Sequence, residues 1–135
     1  MAAATRRLEL TLLSERFAIS RLAADAAVPE WAMRGTFFSV TRTGDELSIV
    51  TEVSRVPIGV QSQSGWCVRE VHGPFILSEI GVLSVLTTPL TEAKVRLLVI
   101  STFDTDYLLV ASSTLSDAIA ALERAGHTIH RSKTE

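Results

Sequence analysis

Leu97-Leu98-Val99-Ile100-Ser101-Thr102-Phe103-Asp104-Thr105-Asp106-Tyr107-Leu108-Leu109-Val110-Ala111 is the stretch that decides how this chain folds. Two β-rich runs, residues 94–102 and 106–111, flank Phe103-Asp104-Thr105, and so short a gap suits an antiparallel hairpin. Upstream, Val82, Leu83, Val85, Leu86, Leu90 and Ala93 recur every three or four residues, the mark of a helix with one buried face over residues 81–93. Pro89 inside it is expected to kink it or break it into shorter pieces. Further upstream, residues 66–72 (Trp-Cys-Val-Arg-Glu-Val-His) read as a strand with one wet face, closed by Gly73-Pro74. Downstream, Leu115, Ala118, Ile119, Leu122 and Ala125 give a second amphipathic helix. Thr114 with Asp117 suits its start and Gly126 its end. Residues 127–131 alternate around Ile129 and read as a closing strand.

The resulting order is β-α-β-β-α-β. That is the split, ferredoxin-like α+β unit, which lays two helices on one face of a four-stranded sheet. The N-terminal half is more β-rich and less regular. Residues 8–13 and 17–22 read as strands, residues 28–31 as a turn, and residues 36–41 and 46–52 as a hairpin around Arg42-Thr43-Gly44-Asp45. Residues 52–57 offer a short helical or turn segment. Gln61-Ser62-Gln63-Ser64-Gly65 is the most linker-like stretch. Both halves carry an aromatic strand followed by an acidic turn, Phe37-Phe38 with Asp45 and Phe103 with Asp104. This echo suggests two related units, an eroded one over residues 1–65 and a complete one over residues 66–135.

Composition narrows the task of such a body. The chain has 135 residues, the size of one ordinary domain or two half-sized units, and 47% of them are hydrophobic, which excludes a disordered chain. Thirteen basic against fifteen acidic residues leave a net charge of −2, so no cationic excess is available to displace counterions from nucleic acid. One cysteine, Cys67, excludes an intrachain disulfide and a multi-cysteine zinc site and reads as a small core residue. Arg6-Arg7 is followed by an interrupted apolar stretch rather than a signal core, and no apolar run approaches the ~20 residues of a membrane span. A cytoplasmic protein is expected.

Catalytic motifs are missing. The glycines are scattered rather than gathered into a phosphate loop, and there is no Gly-x-Ser-x-Gly elbow. His72, His127 and His130 lack zinc-ligand spacing, and His127 and His130 are expected at an edge or on the surface. Trp31, Trp66, Phe37 and Phe38 have no basic stripe beside them and read as packing residues. No enzyme and no cofactor are expected. Asp104 and Asp106, alternating around Thr105, would point the same way if strand geometry persists, and the topology could bring Glu79 near them. Such acids serve equally well as solvated turn and cap residues. They could also hold a cation, or work as acid and base, although no companion motif for either is present. A zwitterion would match carboxylates beside the free N–H groups of a helix start.

Phe37-Phe38-Ser39-Val40-Thr41-Arg42-Thr43, Asp45-Glu46-Leu47-Ser48-Ile49-Val50, Gly81-Val82-Leu83 with Pro89-Leu90, and Ile100-Ser101-Thr102-Phe103-Asp104-Thr105-Asp106-Tyr107 together resemble the small bacterial ACT-domain proteins. Related domains occur in CASTOR-type arginine sensors and in the regulatory tails of aspartate kinases. The resemblance spans residues 8–130 and implies a tandem pair of ACT-like units, the first degenerate. It also implies a regulatory module that binds an amino acid where two ACT units meet. Carried over residue by residue, the ligand-contacting positions are Ser78, Glu79, Ile80 and Gly81 in the loop entering the first helix, and Thr102, Phe103, Asp104 and Asp106 in the hairpin. Glu79 and Asp106 fall where the sensors place acidic contacts, which favours a ligand with a positive group. The chain has no kinase domain and about half the length of a CASTOR-type sensor. A complete site would therefore need its own two halves or a second copy, so a homodimer is expected. The alternative is a ligand-free module that docks a protein partner.

Overall fold

A computed structural model describes residues 7–72 and 81–131 of the protein. The chain divides into two compact units, Glu15–Trp66 and a larger one made of Met1–Ser14 with Cys67–Glu135.

In the smaller unit, strand β1 (Glu9–Leu22) contributes its second half and pairs antiparallel with β3 (Leu47–Glu52), from Phe17↔Glu52 to Leu22↔Leu47. Strand β2 (Ser39–Arg42) pairs with the other edge of β3. Alternation decides the faces: Leu47 and Ile49 are fully buried with Ala32, and Trp31, Val28 and Val40 pack around them. Phe17 and Phe37 meet edge to face at 5.8 Å between ring centres. The two strands expected over residues 8–13 and 17–22 are one, because the polar Ser14-Glu15-Arg16 between them stays extended. The turn expected at residues 28–31 is a single 3-10 turn, Glu30–Met33. The linker expected at residues 61–65 is instead the start of strand β4 (Ser62–Val71), and the Arg21 amide donates to the Gln61 carbonyl at 2.9 Å. Exposed serines and glutamines there reflect an unpacked strand end rather than a hinge.

The larger unit is ferredoxin-like. Its elements after β4 are α1 (Val82–Glu92), β5 (Leu97–Ser101), β6 (Asp106–Ala111), α2 (Leu115–Arg124) and β7 (Thr128–Arg131). The hairpin has the expected form, with β5 and β6 in register from Leu97↔Val110 to Ser101↔Asp106. The described strands run in the order β7-β1-β4-β6-β5, one more than the four expected. The extra strand is the first half of β1, which pairs in parallel with β7 from Glu9↔Thr128 to Leu12↔Arg131. Leu10, Cys67, Val71, Leu108 and Val110 present one sheet face to Val82, Leu86 and Leu90 of α1 and to Ala118 and Leu122 of α2. Each fully buried leucine there contributes roughly 1.5–3 kcal/mol of apolar burial.

Helix α1 passes through Pro89 without breaking. A proline at that place removes the amide that would reach the Val85 carbonyl four residues back. His127 supplies the missing donor: its Nε2 lies 2.9 Å from the Val85 oxygen, while its Nδ1 accepts from the Leu8 amide at 3.1 Å. The backbone donor at Nδ1 assigns the proton to Nε2. His127 is therefore an interior residue, 3% exposed, and not the surface histidine expected. Thr114 makes no side-chain cap on α2; its hydroxyl donates back to the Ala111 carbonyl at 3.2 Å. Gly126 ends α2 as expected, at φ +100°. Among the described residues no helix is long and apolar enough to cross a membrane.

Candidate functional site

The hairpin turn is tied to the end of β4. Thr102 and Thr105 close the turn on one another, the Thr102 amide on the Thr105 carbonyl at 2.8 Å and the Thr105 amide on the Thr102 hydroxyl at 3.2 Å. The Thr105 hydroxyl then donates to the carbonyl of Val71, the last residue of β4. Residues 102–106 thus sit at the end of the sheet where β4 leaves toward α1. Gly81 caps that helix at φ +89°, with the Ser84 hydroxyl on its carbonyl at 3.3 Å. The two acids of the hairpin differ. Asp104 is exposed in the turn, whereas Asp106 opens β6, half-buried, and takes the Ser101 hydroxyl at 2.5 Å. The strand geometry that would align them starts only at Asp106. Phe103 stands 79% exposed at the tip. Ser78, Glu79 and Ile80 lie outside the described residues.

Pleat parity separates the faces at this end. Asp106 shares the helix-covered face with Leu108 and Val110, while Tyr107 is on the other. There burial, with the Glu70 carboxylate as a second cause, holds the Tyr107 phenol above its usual range.

Arg69 is not among the residues expected to carry function. The alternating pattern of residues 66–72 predicts a strand with one wet face, yet Arg69 is 0% exposed, the largest fully buried side chain of the molecule among the described residues. It sits between Cys67 and Val71 on the helix-covered face, by the same parity. Its Nε and both terminal nitrogens have no hydrogen-bond partner among the described residues. Burial lowers its pKa to about 10, with the Cys67 thiol and the Glu123 carboxylate of α2 pulling the other way. The signal was present: Arg69 and Glu70 are neighbours and cannot share a wet face, and the apolar parity of Cys67 and Val71 belongs to Arg69.

The remaining polar clusters offer less. Glu9 accepts from His130 Nε2 at 2.8 Å, and the His72 and His130 rings stack at 5.5 Å. No group of three or more acidic, histidine or cysteine side chains among the described residues is arranged to hold a metal. A groove of about 300 Å³ is lined by Pro89, Glu92, Ala93, Ala121, Arg124 and Ala125 of the two helices. None of these residues was among the expected ligand contacts.

Comparison with known proteins decides the family. An ACT-domain family model matches residues 61–124, and a second model, described as an N-terminal domain, matches residues 15–58. A crystallised protein of Agrobacterium tumefaciens is 38% identical, with 96% of this chain and 97% of that one covered at a TM-score of 0.90. The chain belongs to the ACT-domain family. Two further solved structures share the fold of this ACT-domain protein at lower identity. A Vibrio cholerae protein described as a possible transport protein is 16% identical, with a TM-score of 0.71 over 87% of this chain and 89% of that one. The regulatory subunit of aspartate kinase from Thermus flavus is 9% identical, with a TM-score of 0.58 over 91% and 99%. No curated protein matches the sequence.

Proposed function

We propose that this ACT-domain protein is a regulatory module that binds an amino acid at the meeting of two ACT units, completed by a second copy of the chain, and catalyses nothing. The observation that carries this reading is the hairpin tied to the end of β4, with Asp106 half-buried at the end of the sheet from which β4 leaves toward α1. A half-buried carboxylate favours a cationic partner, and a ligand ammonium or guanidinium provides one. Asp106, with Glu79, takes that positive end; Thr102, Phe103, Asp104 and the loop of Ser78, Ile80 and Gly81 line the rest. Kinship in fold to the aspartate kinase regulatory subunit supports a regulatory role.

Half-exposed Leu98 and Val99 on β5, the last strand of the larger unit's sheet, support pairing with a second copy side by side. The same residues with Phe103 favour a second reading, a ligand-free module that docks another protein. A thermal-shift screen of the twenty amino acids separates the two. A ligand at 100 times its Kd adds about 2.7 kcal/mol to stability, a readily visible rise in Tm. A response to one amino acid that Asp106→Ala weakens supports the sensor; silence across the panel leaves the docking module.

A further inference from the structure

We infer that Arg69 is the carboxylate anchor of this module, so that its ligand is a zwitterion spanned between the Arg69 guanidinium and Asp106. The inference rests on the amino-acid reading above and names the group that holds the ligand's negative end.

Three facts carry it. Arg69 is fully buried and its guanidinium nitrogens have no partner among the described residues. A buried arginine with five unmatched N–H donors is among the costliest arrangements a core can hold, and folds keep such strain where function requires it. Arg69 and Asp106 also share the helix-covered face of neighbouring strands, β4 and β6, by the parity of Cys67, Val71, Leu108 and Val110. Finally, Arg69 lies two residues, about 7 Å, from the end of β4 to which the Thr105 hydroxyl ties the hairpin. A planar guanidinium fork matches a carboxylate in a bidentate pair. One cation and one acid on the same face at the same end complement the two charges of an amino acid.

The test is calorimetric titration and thermal shift on the whole chain. The probes are the twenty L-amino acids, the α-amide of any that binds, and sodium acetate and succinate as simple carboxylates. Wild-type protein is expected to bind an amino acid and to lose at least ~30-fold in affinity for its α-amide. Arg69→Met should lose the same factor while its ligand-free Tm equals or exceeds that of wild type, because methionine removes a buried guanidinium whose nitrogens have no hydrogen-bond partner among the described residues. An amino acid bound equally well as its amide, or equally well by Arg69→Met, overturns the inference and leaves the amino-acid reading standing. A response to acetate or succinate alone, abolished in Arg69→Met, overturns the amino-acid reading and upholds Arg69 as an anion anchor. Silence toward every probe overturns both. The amide comparison needs no variant, so an amino acid bound equally well as its amide overturns the inference even if methionine packs poorly at this position.

Discussion

At the scale of single residues the protein places charge where apolar side chains would be cheaper, and Gly35 shows how tightly one such group is held. Glu52 is 8% exposed and takes the Arg55 Nε at 3.1 Å. Gly35, at φ +99°, leaves room for that carboxylate, and a Cβ there would stand 2.7 Å from Glu52 Oε2. Gly35→Ala is therefore expected to cost about 1–3 kcal/mol, from the left-handed backbone and the displaced ion pair together. Urea unfolding would read the loss, and Gly44→Ala, where nothing lies within 4 Å, should cost far less. The hairpin that carries residues 102–106 was legible in the sequence because turn chemistry is local. For Arg69 the sequence carries only the parity with Cys67 and Val71; the depth of its burial depends on α1 and α2, which cover that face of β4 only in the folded unit.

At the scale of elements the coupling of Pro89 to His127 is the clearest case of one rule overriding another. Local propensity predicts a broken α1; tertiary structure supplies the lost donor from 42 residues away. Replacing His127 by Ala should cost about 2 kcal/mol or more, since it orphans the Val85 carbonyl and the Leu8 amide together. In a Pro89→Ala background the helix regains its own donor, and the same replacement should cost less by about 0.5–1.5 kcal/mol. A double-mutant cycle in urea measures the difference, and strict additivity would show that the imidazole does not compensate for the proline. Thr105→Val keeps the shape of the hairpin and removes its tie to Val71. The expected effect is about 1 kcal/mol of stability, with faster amide exchange confined to residues 102–105. The β-α-β-β-α-β order and the hairpin register were readable because each element announces itself by periodicity. The inserted strand was not, because a strand's neighbours are chosen by the whole sheet, and residues 9–14 carry no mark of pairing with residues 128–131.

At the scale of the whole molecule, the proposed second copy makes association and ligand response one equilibrium. Size-exclusion chromatography with light scattering should show a larger dimer fraction when the bound amino acid is present. Leu98→Lys with Val99→Lys on β5 should weaken dimerisation at least ~10-fold, by setting like charges across the joint. A monomer that still binds its ligand with unchanged affinity would argue against a shared site.

Because Glu9 pairs with Thr128, 119 residues apart, the larger unit keeps its first strand waiting for nearly its last. Closing so long a loop comes late and slowly, whereas the pairings of residues 17–22 with 47–52 need only a local search. During synthesis the smaller unit can therefore form while the larger still presents an unpaired strand edge to its neighbours. The protein should be most vulnerable to aggregation in that interval, and a cell making it quickly would draw on chaperones for residues 9–14 above all.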